Sequence, residues 1–354
     1  MTENFWKNKK VFLTGHTGFK GSWMSLWLLK AGAQLTGYSL CVPTKPSLFE
    51  ELDISKDMNS IFADIRDLDK IKKSVSETKP DIIIHMAAQP LVRYSYQEPV
   101  ETYMTNVMGT VHLFEAARAS GSVKAVLNVT SDKCYENQER EAGYKEHEPM
   151  GGYDPYSNSK GCAELVTSAY RKSFFDKEGI LLASGRAGNV IGGGDWASDR
   201  LVPDIVRSVL SNEKLIIRNP RATRPWQHVL EPVGGYLHLT EKLYIEGKIF
   251  AEGFNFGPST ADHCDVENII IKMNRLWDNK IKYEIVKSYT NPYEAHLLSL
   301  DCSKTEKTLN WKPQWNLDKA LKMTVDWNEN RTEDKSKIKD FSLKQINQYM
   351  KDRV

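Results

Sequence analysis

The sequence predicts an α/β fold built on a doubly wound parallel sheet, with a smaller α/β lobe toward its C-terminal end. Two patterns carry this reading. Short apolar runs alternate with stretches of helical periodicity through the first half of the chain, the order that βαβ units require. One run, Ile82-Ile83-Ile84, is apolar on both of its alternating faces, as a strand covered by helices on both sides must be.

Val11-Phe12-Leu13-Thr14 is the first strand, and it leads into Gly15-His16-Thr17-Gly18-Phe19-Lys20-Gly21. Trp23, Leu26, Trp27 and Ala31 then recur at helical spacing until Gly32 supplies a stop. In this context a glycine trio signals dinucleotide binding. The glycines admit a close approach of backbone to pyrophosphate, and the helix N-terminus offers free N–H groups and a positive dipole end. The sheet is then Rossmann-like. The spacing is GxxGxxG, and an ordinary tight turn is the competing reading. The second strand, Leu35 to Leu40, carries Ser39 where NAD sites place an acid for the adenosine ribose and NADP sites an arginine. With Lys45 a few residues on, this position leaves NAD and NADP both open.

Ile61-Phe62-Ala63 is the third strand and Asp64-Ile65-Arg66-Asp67 its exit. Asp64 is a candidate acceptor for an adenine amino group, while Asp67 suits the cap of a helix that turns Ile71 and Val75 inward. The fourth strand ends in Ala87-Ala88, small enough to leave room for a cofactor in the crevice. His85 reads as structural. A helical pattern over about 98–120, interrupted at Gly109, precedes the fifth strand, Val123 to Val129, whose tip carries Thr130-Ser131-Asp132-Lys133.

Composition narrows the partners. A net charge of +2, with both signs interleaved, calls for neither nucleic acid nor an anionic membrane. Five cysteines, widely spaced and without a CxxC pair, read as reduced thiols, so neither a disulfide frame nor a metal site is expected. The first residues lack an apolar signal core, and no uncharged run approaches the ~20 residues of a membrane span. The expected setting is soluble and cytoplasmic.

The polar stretch from Cys134 to Tyr153 reads as a loop, after which Asp154-Pro155 opens a helix with Tyr156 and Lys160 on one face. A lysine cation beside a phenol favours the phenolate and is expected to draw the tyrosine pKa from ~10 toward neutrality. Such a tyrosine takes the proton of a carbinol as hydride leaves for a nicotinamide, and Ser131 is placed to hydrogen-bond the same oxygen. A tyrosine and lysine four apart also fit a plain surface helix. Their place behind a glycine-motif half and a serine-bearing strand end points to catalysis.

Gly15-x-x-Gly18-x-x-Gly21, Asp64-Ile65-Arg66-Asp67, Ala87-Ala88-Gln89, Thr130-Ser131-Asp132-Lys133 and Tyr156-x-x-x-Lys160 together resemble the extended short-chain dehydrogenase/reductase family of nucleotide-sugar enzymes. Gly151 to Ser157, Arg186 to Trp196 and Arg224 to Val229 narrow the resemblance, over about residues 8 to 330, to the 4,6-dehydratases that act on CDP-D-glucose. Those enzymes open 3,6-dideoxyhexose synthesis for lipopolysaccharide O-antigen. The resemblance implies NAD as cofactor, held by Gly15, Thr17, Gly18, Phe19, Lys20, Gly21, Asp64, Ile65, Ala87, Ala88, Gln89, Asn106, Tyr156 and Lys160. It also implies oxidation at C4 through Tyr156, Lys160 and Ser131, loss of water across C5 and C6, and return of hydride to C6. Relatives acting on dTDP-glucose read Asp-Glu at the strand tip, whereas this chain reads Asp132-Lys133. Asp132 is then expected to protonate the leaving hydroxyl, provided its pKa is raised. Lys133 is expected to take the C5 proton, which needs an amine whose pKa is depressed by burial or by Lys160. Simple pairing of Lys133 with Asp132 is the structural alternative. A 4-epimerase of the same family would need Tyr156 and Lys160 without the elimination pair.

A sixth strand, Leu181 to Ser184, opens the second half. Asn189, Arg200, Arg218, Arg224, Asn255 and His296 are the candidate substrate contacts. Guanidinium forks suit the two phosphate charges of a CDP-sugar, Arg224 most directly. Trp196 or Trp226 could wall the sugar or base, although core packing is the commoner fate of tryptophan. His228 reads as structural. Residues 1–186 and 225–250 are assigned to the cofactor-binding Rossmann part and 187–224 with 251–330 to a substrate-binding lobe. Residues 331–354 are assigned to a charged tail, a peripheral helix or partly disordered. Helices over about 98–120 and 155–177 carry mixed faces on which members of the family commonly pair, so a homodimer or homotetramer is expected.

Overall fold

The computed structural model describes residues 4–217, 219–286 and 297–353. Seven parallel strands form the main sheet. β1 (Lys10–Thr14), β2 (Gln34–Ser39), β3 (Asn59–Phe62), β4 (Ile82–His85), β5 (Ala125–Val129) and β6 (Leu181–Ala187) follow in chain order. Across the sheet the order is β3-β2-β1-β4-β5-β6, and the strand Gly253–Phe256 completes it beside β6. Strand order reverses between β1 and β4, so a crevice opens there at the carboxyl ends, where Leu13 pairs with Gly37 on one side and Ile84 on the other. Ile82, Ile83 and Ile84 are fully buried, as helices on both faces require.

One expectation changes, and for the charged tail the helical alternative is the one found. The strand Gly253–Phe256 falls within the stretch 251–330 assigned to the substrate-binding lobe, yet it lies in register with Ser184 to Ala187 of β6. Phe254 and Phe256 are fully buried, and Phe256 packs edge-on against Tyr236 of the helix Leu230–Glu246, which fixes the strand to the main layer. The charged tail is an 18-residue helix, Lys335–Asp352. Ile338, Ile346 and Tyr349 enter the main core, Tyr349 meeting both Trp27 and Trp315 edge-on. Sparse apolar anchors suffice because all of them fall on one face.

The helical stretch over 98–120 is broken by a π turn, Met104–Met108, between Pro99–Tyr103 and Gly109–Ser120. Beyond β6, the helices Leu201–Ser211, Val266–Leu276 and Leu317–Glu329 enclose a second apolar cluster that includes Ile205, Ile269, Met273 and Leu321. Two short strand pairs, Leu215–Ile217 with Tyr283–Ile285 and Thr223–Pro225 with His263–Asp265, line its edge. All five cysteines are free thiols. Among the described residues no helix is long and apolar enough to cross a membrane, and no cluster of metal-ligating side chains occurs.

Candidate active site

A cavity of about 1330 Å³ lies over the carboxyl ends of the sheet and extends toward the second cluster. Its floor begins with the glycine turn. Gly15 has φ +75°, and a Cβ there would lie 2.8 Å from the Ala87 nitrogen. A Cβ on Gly21 would lie 2.0 Å from the Gly15 carbonyl oxygen, so this turn closes onto its helix only as glycine. Helix α1 (Phe19–Lys30) starts at Gly18 with no side-chain cap, which leaves its first N–H groups facing the cavity floor. Thr17, Phe19, Lys20, Ile65, Ala87, Ala88 and Gln89 line the same space. Ser39 also lines it, but its hydroxyl lies 2.9 Å from His16 Nδ1, which ties the end of β2 to the glycine turn. Asp64 lines the cavity with its carboxylate bound by the Arg66 guanidinium at 2.6 Å, while Asp67 caps the next helix at the Lys70 N–H. This cradle fits a dinucleotide, since it combines a backbone free of Cβ atoms with an uncapped helix N-terminus.

The chemical groups converge at the other end of that floor. Ser131, Asp132, Lys133, Tyr156 and Lys160 all line the cavity. Asp154 caps the helix Pro155–Tyr170 at the Ser157 N–H, and Ser95 Oγ accepts from the Tyr156 N–H at 3.1 Å. The Ser131 hydroxyl donates to Asp132 Oδ1 at 2.9 Å. Burial pushes the Tyr156 pKa up to about 12, and the downward pull on it comes from Ser131 and Arg200. The expected lowering by Lys160 is therefore not found, because burial raises the phenol more than its neighbours lower it. Lys160 itself is desolvated, and its pKa falls to about 8. Lys133 lines the cavity, and no ion pair between it and Asp132 occurs among the described residues. Lys20 lies among Asp132, Asp195, Arg200 and Lys160, with its Nζ 5.8 Å from the Tyr236 ring. Burial, followed by the neighbouring cations, draws its pKa down to about 8.

Behind these groups is a buried support that the sequence patterns did not reveal. Glu164, one turn beyond Lys160, accepts from Thr130 Oγ1 at 2.5 Å, Ser184 Oγ at 2.8 Å and Arg186 Nη2 at 2.7 Å. It ties the tyrosine helix to the tips of β5 and β6. The i, i+4, i+8 series Tyr156, Lys160, Glu164 was the available signal, since a third polar residue on a buried face needs a partner.

The remaining candidates divide. Asn189, Arg200 and Arg224 line the cavity beside Trp196 and Trp226, and Arg200 pairs with Asp195 at 3.0 Å. Asn106 and Asn255 do not line it. Asn106, in the π turn, accepts from the Gln89 N–H at 2.8 Å and donates to the Gln89 carbonyl and to Ser159, so it holds Gln89 in place. Asn255 is spent on Tyr135, Tyr144 and Asp301, which places it under the loop before the catalytic helix. Arg218 and His296 lie outside the described residues. His85 bonds Thr14 and Thr110 through its two ring nitrogens, and His228 is fully buried against Trp23 and Trp315. Both are structural, as read.

A Rossmann sheet whose crevice gathers a glycine cradle, a serine-bearing strand tip and a tyrosine-lysine helix defines an extended short-chain dehydrogenase/reductase. Residues 12–324 match the family model described as GDP-mannose 4,6 dehydratase, and the chain belongs to that family. It is 57% identical over 332 residues to the CDP-glucose 4,6-dehydratase of Salmonella typhimurium, covering 92% of both chains. It is 24% identical to the dTDP-glucose 4,6-dehydratase of Haemophilus influenzae, covering 90% of this chain and 97% of the relative. Among solved structures, the dTDP-glucose 4,6-dehydratase of Bacillus anthracis in complex with NAD superposes with a TM-score of 0.75 at 20% identity, covering 92% and 98% of the two chains. The UDP-glucuronic acid 4-epimerase of Bacillus cereus, in complex with UDP-glucuronic acid and NAD, gives 0.77 at 22% identity, covering 90% and 99%.

Proposed function

We propose that the protein dehydrates CDP-D-glucose to CDP-4-keto-6-deoxy-D-glucose with a bound NAD. The observation that carries this reading is the elimination pair Asp132 and Lys133, placed in one cavity with Ser131, Tyr156 and Lys160. The 57% identity to a relative of that name supports the choice of nucleotide. Gly15, Gly18, Gly21 and the start of α1 would hold the cofactor's pyrophosphate, with Ala87, Ala88 and Gln89 along its nicotinamide half and Asp64 and Ile65 toward its adenine. When bound, NAD+ supplies the acceptor for the C4 hydride and later the donor to C6.

The chain's own residues handle protons and position. Tyr156 receives the C4 hydroxyl proton, steadied by Ser131 on one side and the Lys160 helix face on the other. The 4-ketone that results acidifies C5–H. Lys133 takes the C5 proton, and Asp132 gives a proton to the C6 oxygen as it departs as water. Lys133 then returns a proton to C5. Arg200 and Arg224 face the diphosphate, and Asn189 lies within the same wall. Residues 187–224 with 251–330, less the strand in the main sheet, form the substrate-binding lobe.

The enzyme is proposed to act in the cytoplasm, early in 3,6-dideoxyhexose synthesis for O-antigen, and as a homodimer or homotetramer. Val100 at 75% and Leu165 at 59% exposure lie on the two long helices and support such pairing. Mass spectrometry after incubation with CDP-, dTDP-, UDP- and GDP-hexoses tests the reaction. Loss of one water from CDP-glucose is expected, and conversion to an isobaric C4 epimer would sink the reading.

A further inference from the structure

One segment of the second lobe stays against the cofactor half. Gly192 to Trp196 come shortly after β6, and successive residues of this strap meet the elements that flank the glycine cradle. A Cβ on Gly192 would lie 3.3 Å from the Phe19 ring, and Trp23 Nε1 donates to the Gly193 carbonyl at 3.0 Å, so the strap begins along α1. A Cβ on Gly194 would lie 2.4 Å from Leu48 Cδ1, which brings the strap to the short helix Leu48–Glu51 beyond β2. Trp327 of the helix Leu317–Glu329 presses on it as well, since a Cβ on Gly193 would lie 2.0 Å from that indole. Gly194, Asp195 and Trp196 line the cavity together with Gly15, Gly18, Lys20 and Leu48.

The strap ends in three interlocked side chains. Trp196 Nε1 donates to Glu51 Oε2 at 3.1 Å. Arg331, just beyond the helix Leu317–Glu329, donates from Nε to Glu51 Oε1 at 2.6 Å, and its Cζ stands 4.7 Å from the centroid of the Trp196 ring. One carboxylate thus holds both an indole and a guanidinium, and the guanidinium covers the indole. The Glu51 side chain is 15% exposed and Trp196 7%. Among the described residues that line the cavity, neither Glu51 nor Arg331 occurs. Arg207 donates to the Trp196 and Ala197 carbonyls at 2.9 and 3.1 Å, so the backbone here belongs to the second lobe. The trio links that lobe back to the cofactor half.

We propose that Glu51, Trp196 and Arg331 form a clasp that retains NAD by holding the strap across the mouth of the cofactor cradle. A dinucleotide seated on the glycine turn leaves only when the lobes part along the strap, and parting them breaks the clasp. A four-residue helix has little stability of its own, so Leu48–Glu51 depends on such contacts for its place. Opening is then a local event that leaves both lobes folded. The three are positioning residues for the cofactor and take no part in moving hydride or protons. Because the clasp acts on the cofactor, it stands whichever nucleotide-sugar is the substrate.

Release of the cofactor is measured without any sugar. Protein loaded with NAD+ and freed of excess by gel filtration is mixed with alcohol dehydrogenase and ethanol, which reduce each NAD+ as it is released. Glu51→Gln and Arg331→Met should each speed release about tenfold or more, as loss of a charge-assisted hydrogen bond does. Trp196→Phe, which keeps a ring but removes the indole N–H, should speed it too. The double variant of Glu51 and Arg331 should release no faster than the faster single variant, because both changes break one clasp. Melting temperatures without NAD+ should match wild type, while the gain on adding NAD+ shrinks. Wild-type release rates in Glu51→Gln and Arg331→Met would overturn the clasp. So would multiplied effects in the double variant, which would mark two unrelated contacts. A lower melting temperature with unchanged release would show a structural brace alone and overturn it as well. Dehydration of CDP-glucose is assayed apart from release, so failure of the proposed reaction and failure of the clasp are separate results.

Discussion

Arg186 and Glu164 form an ion pair of 2.7 Å with side chains only 6% and 4% exposed. Burial pushes the Glu164 carboxyl up, but Arg186, Thr130 and Ser184 together hold it below the ordinary carboxylate range. The pair joins β6 to the helix that carries Tyr156 and Lys160, so it sets where that helix meets the strand tips. Glu164→Ala would strand a buried guanidinium. Such losses cost about 3–5 kcal/mol, and a comparable fall in urea-unfolding stability is expected. A drop below ~1 kcal/mol would mean that water or another group replaces the carboxylate.

The glycine turn gives the second prediction. Gly21→Ala puts a methyl 2.0 Å from the Gly15 carbonyl oxygen, where backbone cannot yield cheaply. Nucleotide released by denaturing the purified variant should fall to a small fraction of the wild-type content. Retention of full nucleotide would show that α1 can tilt away from the turn. The same assay on wild-type protein distinguishes NAD from NADP.

Catalytic roles separate by partial reaction. Lys133→Ala should still reduce bound NAD+ on addition of CDP-glucose yet release dehydrated product ~100-fold more slowly or worse. Full dehydration by this variant would remove Lys133 as the C5 base. Tyr156→Phe should block even the first oxidation, since no group then accepts the hydroxyl proton.

Glu231 makes stability depend on pH. It lies under the C-terminal helix, accepting from the Gln314 and Trp315 N–H groups and from the Tyr349 hydroxyl. Burial raises its pKa from 4.5 to about 7. The unfolded chain gives up this proton at 4.5 while the folded chain keeps it to about 7. Its contribution is therefore complete below 4.5, falls as pH rises through that window, and is flat above it. Glu231→Gln should flatten the melting temperature between about pH 5 and pH 8 and stabilise the protein above neutrality by at most about 3 kcal/mol. An unchanged pH profile would assign the dependence to other groups.

The sequence by itself determined the alternation of strands and helices, the cofactor turn, and the tyrosine helix with its serine-bearing strand tip. These are local or short-range features. Periodicity reports which face is buried, a glycine trio reports a tight turn, and residues four apart share a helix face. It also made Asp132-Lys133 visible as a departure from Asp-Glu. Tertiary structure alone decided matters that depend on what lies across a packed boundary. It placed Phe254 and Phe256 in the main sheet, drew the charged tail onto Trp27 and Trp315, and turned Asn106 and Asn255 from ligands into braces. It set Glu164 beneath the site and raised the Tyr156 pKa where proximity to lysine had suggested a lowering. Desolvation and the satisfaction of buried polar groups depend on every neighbour in space, and spacing along the chain does not encode them.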